Sequence, residues 1–194
     1  MKHDAFVIIG KSGSGKGTQA LLLIEALSKQ GKDVQHIEMG DAFRDFLRQS
    51  NYTAEQSGII AEEGELQPDF LANYFMAQEL IKYANGERVF LFDGTPRTKR
   101  QARIMDGALR FYGIRKPLVI VLDVQDESVV ERMRMRGRSD DQISAITTRL
   151  GWYGAETERA IKYFAEQDSY YSVARIDGDR AVEDIHQDIV SLLA

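Results

Sequence analysis

Residues Gly10–Thr18 read GKSGSGKGT, directly after the apolar run Ala5–Ile9 and before a helical stripe of Ala20, Leu23, Ile24 and Leu27. A strand, a glycine-rich turn and a helix in immediate succession form the setting that a phosphate-binding loop requires. Its glycines let backbone N–H groups turn inward around an anion, and the helix N-terminus adds partial positive charge. Lys16 supplies a point charge for bridging phosphates. In the general pattern the residue after this lysine is Ser or Thr; here it is Gly17, and the hydroxyl arrives only at Thr18.

Outward from this loop, further short apolar runs occupy Asp33–Ile37, Arg88–Asp93, Leu118–Asp123 and Val173–Ile176, separated by segments with helical spacing. Alternating strands and helices predict an α/β chain with a mostly parallel sheet buried on both faces, because parallel neighbours need crossover connections. Pro68 is expected in the first turn of a helix carrying a Phe70, Leu71, Tyr74, Phe75, Leu80, Ile81 stripe and leaving at Asn85–Gly86. Ser139–Asp140–Asp141 reads as another helix start. Linkers and repeats are not evident, so residues 1–194 read as one domain, with small excursions expected between Asp41 and Gly64 and near Arg136–Ser139.

The 194 residues carry 25 Lys+Arg against 30 Asp+Glu and contain no cysteine. Lack of cysteine excludes disulfide scaffolds and thiolate chemistry and makes the cytoplasm the default location. The longest apolar runs are far below the roughly 20 residues of a membrane span, and mild acidity argues against general nucleic-acid binding. Val89–Asp93 is an apolar strand ending in a carboxylate, a place from which phosphate-loop proteins hold Mg²⁺ or its water shell. Arginines at loops and strand ends (Arg44, Arg97, Arg132, Arg134, Arg136, Arg138, Arg149) suit the charge demands of phosphoryl transfer between nucleotides, where planar, permanently protonated donors are required but no general base is. Trp152, Tyr153, Tyr163 and Phe164 follow helical spacing and read as core; His3, His36 and His186 suggest no metal site.

These motifs together give the chain its resemblance to the adenylate kinases, within the nucleoside monophosphate kinase family. Gly10–Gln19 resembles the family's glycine-rich loop, and Gly40-Asp41 with Arg44 resembles its acceptor-site GDxxR. Asp93-Gly-Thr-Pro-Arg97 followed by Gln101 resembles DG(F/Y)PRxxxQ. Arg132, Arg136, Arg138-Ser-Asp-Asp141 and Arg149 resemble the lid and its flanks, and Asp177-Gly178 the loop over the donor base. The resemblance implies a three-layer P-loop fold with a five-stranded parallel sheet, an acceptor-binding segment over 41–67 and a short lid over 132–142. It implies Mg²⁺-dependent transfer of the γ-phosphate of ATP to AMP by what is expected to be a monomer. Gly13, Ser14, Gly15, Lys16, Gly17, Thr18, Arg132, Arg136 and Arg180 would serve ATP. Met39, Gly40, Arg44, Glu65, Leu66, Gln67, Gly94, Thr95, Arg97, Gln101, Arg138 and Arg149 would serve AMP. Lys16, Arg97, Arg132, Arg138 and Arg149 would be catalytic, and Asp93 would order Mg²⁺ through water.

Three positions depart from the family pattern. Met39 stands where a Thr usually contacts the acceptor adenine, Thr95 replaces an aromatic residue, and only Gly137 separates Arg136 from Arg138. Gln101 favours adenine, because its amide presents both a donor and an acceptor. The alternatives are a UMP/CMP or broad-specificity kinase, or a nucleotide sensor that no longer transfers phosphate. A sensor would be expected to have lost Lys16, Arg97 or Arg149, and all three are present.

Overall fold

A computed structural model describes residues 3–137 and 142–193. The glycine-rich turn follows β1 (Ala5–Gly10) and runs into α1 (Lys16–Lys29), as its flanking sequence predicts. The remaining strands are β2 (Val34–Glu38), β3 (Val89–Asp93), β4 (Leu118–Asp123) and β5 (Ser172–Asp177), each close to its apolar run in the sequence. They form one parallel sheet in the order β2-β3-β1-β4-β5. Loops that leave the carboxyl ends of parallel strands therefore gather along one edge, where such sheets bind ligands. The glycine-rich turn sits at the centre of that edge.

Alternation along the strands divides the core in two. Val7, Ile9, Phe90, Phe92, Val119 and Val121 pack on one face with Leu71, Phe75 and Leu80 of α4 (Asp69–Tyr83), and with Ala102, Met105 and Leu109 of α5 (Lys99–Phe111). On the opposite face Phe6, Ile8, Leu91, Ile120 and Leu122 pack with Ala20, Leu23 and Leu27 of α1 and with Ile185 and Ile189 of α9 (Val182–Ser191). Each fully buried aliphatic or aromatic side chain contributes about 1.5–3 kcal/mol, so both helical layers are firmly held. Asp93 lies two residues beyond Leu91 and in register with Glu38, placing both carboxylates on the α1 side at the end of the sheet.

Between β2 and α4 the chain makes α2 (Met39–Phe46) and α3 (Tyr52–Glu62), the latter capped by Asn51 Oδ1 accepting from the Ala54 N–H at 2.9 Å. Beyond β4 come α6 (Asp126–Arg136) and α7 (Ile143–Trp152), joined in a small cluster of Val124, Val129, Met133 and Ile146. A π-helical turn, Tyr153–Thr157, leads into α8 (Glu158–Ala165).

Two expectations from local sequence are corrected. Pro68 precedes the helix as its N-cap, with its carbonyl accepting from Leu71 and Ala72, because a residue without an N–H serves equally well just outside the first turn. Within the α4 stripe Leu71, Phe75 and Leu80 are buried, but Phe70, Tyr74 and Ile81 are exposed, since the sheet covers only one side of this helix. The helix start expected at Ser139–Asp141 lies outside the described residues.

Candidate active site

The glycine-rich turn is tightly supported from below. Gly13 has a φ of 83°, and a Cβ there would stand 2.7 Å from Met133 Cγ, so α6 packs on the loop where only glycine fits. Gly15 caps α1 in the left-handed conformation. Lys11 reaches out of the loop to the Val124 carbonyl (2.8 Å) and to Asp126, anchoring it to the end of β4. Ser14 Oγ is buried without a hydrogen-bond partner, a polar group that a phosphate oxygen would satisfy.

Lys16 Nζ donates to the Lys11 carbonyl at 2.8 Å and so arches back over the loop. Burial is the main cause that brings its ammonium down to about 8; Arg97 and Arg136 add to the shift while Asp93 and Glu38 oppose it. Arg97 is likewise lowered to about 10, chiefly by burial and then by the charge of Arg149, with Arg44 adding to it and Asp93 opposing. Lys16, Arg97, Arg136, Arg149 and Arg44 thus feel one another at the end of the sheet, an arrangement that becomes favourable when a polyanion enters. Asp93 is 5% exposed, and its Oδ2 would lie 3.7 Å from a Cβ at Gly17.

Arg97 is held at its side chain by two contacts and at its backbone by a third. Its Nε donates to the Gly94 carbonyl at 2.9 Å, its guanidinium lies 5.4 Å from the Trp152 ring centroid, and Thr157 Oγ1 donates to its own carbonyl at 3.1 Å. Trp152 and Tyr153 were expected to be core residues outside the site. Tyr153 is indeed buried, yet both side chains line a cavity of about 40 Å³ together with Lys16, Thr95 and Arg97. Trp152 also bridges to the segment after α3, its Nε1 donating to the Gly64 carbonyl at 2.9 Å. Thr95 is buried in place of an aromatic, and Trp152 supplies the ring beside Arg97 instead. Helical spacing does not separate a ring that faces the core from one that faces a site at the core's edge, so sequence carries no signal for this role.

On the β2 side, Arg44 Nη2 donates to Glu38 at 3.0 Å and its guanidinium also pairs with Asp41, beside Gly40. Met39 is 2% exposed and offers no polar group. The Gln67 amide is turned to α3, accepting from Ser57 Oγ at 2.7 Å and donating to the Ser57 carbonyl at 2.9 Å, and the Glu65 N–H closes the same helix on Ile60. Gln101 is 2% exposed, its Oε1 accepting from the Arg97 N–H and its Nε2 donating to Asp69.

On the β4 side, Arg132 Nη2 donates to the Gly178 carbonyl at 2.9 Å and lies 3.4 Å from Asp179, so α6 and the loop after β5 meet. Arg180 is held by Asp177 and by Asp188 on α9, while Arg132 and the Gln125 N–H, which donates to Asp179 Oδ2 at 2.7 Å, join this loop to α6 and its N-cap. Arg138 lies outside the described residues. Of the histidines, His3 Nδ1 is 2.6 Å from the Lys116 carbonyl, and burial lowers His36. Among the described residues no group of three or more His, Cys, Asp or Glu is arranged to hold a metal ion, and no helix is long and apolar enough to cross a membrane.

A five-stranded parallel sheet with this loop at its centre, and cations arriving from β2, β3 and the helices beyond β4, defines a P-loop fold of the nucleoside monophosphate kinase class. The family model described as adenylate kinase matches residues 8–169. The chain is 37% identical to the adenylate kinase of Corynebacterium urealyticum, over 93% of its own length and 94% of that protein's. It is 35% identical to adenylate kinase 1 of Synechocystis, covering 96% and 95%, and 33% identical to the adenylate kinase of Flavobacterium johnsoniae, covering 96% of both. The chain belongs to the adenylate kinase family.

Proposed function

We propose that the protein catalyses reversible, Mg²⁺-dependent transfer of the γ-phosphate of ATP to AMP, giving two ADP. The observation that carries this reading is the meeting of Lys16, Arg97, Arg149 and Arg44 at the carboxyl edge of the sheet, beside a phosphate loop with an unpaired buried hydroxyl. In this reading Gly13–Thr18 wrap the donor phosphates, and Lys16 follows the transferred group. Arg132 stacks on the donor base and reaches its phosphates, with the loop after β5 on that base's other side; Arg136 serves ATP, and Arg138 and Arg149 bring charge as a lid over 132–142 closes. Arg44 and Arg97 hold the acceptor phosphate, delivered by the segment 41–67, and Gln101 reads its base.

The residues present fit Mg²⁺. This ion binds through one or two carboxylates together with substrate phosphates and keeps much of its water, and Asp93 offers a hard oxygen facing the loop at Gly17. When bound, the ion neutralises phosphate charge; Asp93 would hold its water shell. The attacking oxygen of AMP is already ionised near neutral pH, so the side chains have to align and neutralise rather than remove a proton. The cytoplasm is the proposed location and the monomer the proposed working form.

Lys16 gives this reading a pH signature. Polyphosphate restores the ammonium, so nucleotide binding takes up a proton when the free-site value is about 8. Affinity for ATP is expected to be level below pH 8 and to fall as pH rises beyond it. Calorimetry at pH 8.5 in buffers of differing ionisation enthalpy is expected to show that uptake in the parent enzyme and its loss in Lys16→Met.

The reading is tested by incubating the protein with ATP, Mg²⁺ and, in parallel, AMP, UMP, CMP or GMP, and separating the nucleotide products. Preferential conversion of AMP is expected. Equal conversion of several acceptors would replace this reading with a broad monophosphate kinase, the outcome that Met39 would favour.

A further inference from the structure

Two partners hold the Gln101 side-chain amide before any base arrives. Its Oε1 accepts from the Arg97 backbone N–H at 2.8 Å, and its Nε2 donates to Asp69 Oδ1 at 2.9 Å. Asp69 Oδ1 also accepts from Thr98 Oγ1 at 2.8 Å, and that hydroxyl in turn accepts from the Gln101 backbone N–H at 3.1 Å. Thr98 caps α5 and Asp69 opens α4, so the ring of contacts joins the starts of two helices. Arg100 Nε, 3.7 Å from Asp69 Oδ2, adds a positive charge on the outer side.

Neither partner tolerates the reversed amide. A carboxylate only accepts and a backbone N–H only donates. Turning the amide over would set Oε1 against Asp69 and Nε2 against the Arg97 N–H, losing two hydrogen bonds and opposing like partners twice. In the held orientation Oε1 keeps one further lone pair and Nε2 one further N–H. That pair matches adenine, whose exocyclic amine donates and whose ring N1 accepts. Hypoxanthine and guanine present the reverse, a carbonyl that accepts and a ring N–H that donates, and would need the amide turned over.

We infer that Asp69 is a specificity-determining positioning residue: by fixing the Gln101 amide in one orientation it makes the acceptor site reject 6-oxopurine monophosphates. The inference rests on the reading of Gln101 as the contact to the acceptor base and goes beyond it, because an unheld glutamine would serve either purine edge. Asp69 acts in this reading through Gln101, the side chain it holds.

Asp69→Asn tests this, because an amide at position 69 can donate or accept and so removes one of the two partners that oppose the reversed Gln101 amide, leaving only the Arg97 N–H against it. AMP and IMP are compared as acceptors with ATP and Mg²⁺; IMP carries the reversed edge without the extra 2-amino group of GMP. The preference for AMP over IMP in kcat/KM is expected to fall by about tenfold or more in the variant, mainly through a lower KM for IMP. A general loosening of the α4–α5 contact would depress both acceptors together and leave the ratio unchanged. Asp69→Ser, which also both donates and accepts and suits a helix start, is the second variant should the first fold poorly. An unchanged ratio in folded variants of an enzyme that phosphorylates AMP overturns the inference and leaves the proposed function intact. If the parent protein fails to phosphorylate AMP, both are overturned.

Discussion

Lys16→Met is expected to lower kcat for phosphoryl transfer by about 10³-fold, the scale seen when a charge aimed at a reacting oxygen is removed from a water-poor site. Met has nearly the shape of Lys, so the Lys11 carbonyl loses a donor but the loop keeps its packing. Stability should move the other way. Below pH 8 the folded protein holds Lys16 charged although its surroundings lower its value from 10.5 to about 8, a penalty that disappears only as pH approaches the unfolded value. At pH 7 the variant is therefore expected to melt at the parent temperature or above it. Steady-state kinetics and a melting curve on the same preparation check both halves. Near-normal turnover would remove Lys16 from the mechanism.

Arg97→Ala is expected to lower kcat/KM for AMP by about 10²–10³-fold while changing ATP affinity by about threefold or less. The asymmetry follows from position: Arg97 lies after β3 with Gly94, Trp152 and Thr157 around it, whereas the loop that would take ATP is supported by Lys11 and Met133. Arg97→Lys is expected to recover only part of the loss, because an ammonium keeps the charge but not the planar fork that grips two phosphate oxygens. Kinetics with AMP varied at saturating ATP, and direct ATP titration, separate the two effects. A loss shared equally between the nucleotides would contradict the acceptor assignment.

The sheet was legible in the sequence because β1, β3 and β4 are short apolar runs buried on both faces, while the outer strands β2 and β5 keep apolar residues between the polar Gln35, His36 and Arg175. Strand order is less local: it depends on which crossovers pack, and the order β2-β3-β1-β4-β5 comes from the structure alone. Periodicity placed Phe70, Tyr74 and Ile81 on a stripe without saying how wide a strip the sheet would cover, and they stand in solvent. At the site, residues whose chemistry is their own were readable, such as Lys16 in its glycine loop, Asp93 at a strand end and Arg97 after it. Roles conferred by a neighbour were not. Trp152 takes its place from Arg97 and Gly64, 55 and 88 residues earlier in the chain, and Asp69 takes its own from Gln101 and Thr98 on another helix. Arg180, placed with the ATP residues by resemblance, has its guanidinium paired with Asp188 on α9, a partner that its own loop sequence does not signal.

The central claim is that the cations around Lys16 and Arg97 carry a phosphoryl group from one nucleotide to the other. It is tested most directly by incubating the protein with ATP labelled at the γ-phosphate, unlabelled AMP and Mg²⁺, and locating the label in the products. The label is expected at the β-position of the ADP formed from AMP, matched by an equal amount of unlabelled ADP left from ATP. Label released as inorganic phosphate, or retained in ATP while nucleotide binds, would contradict it.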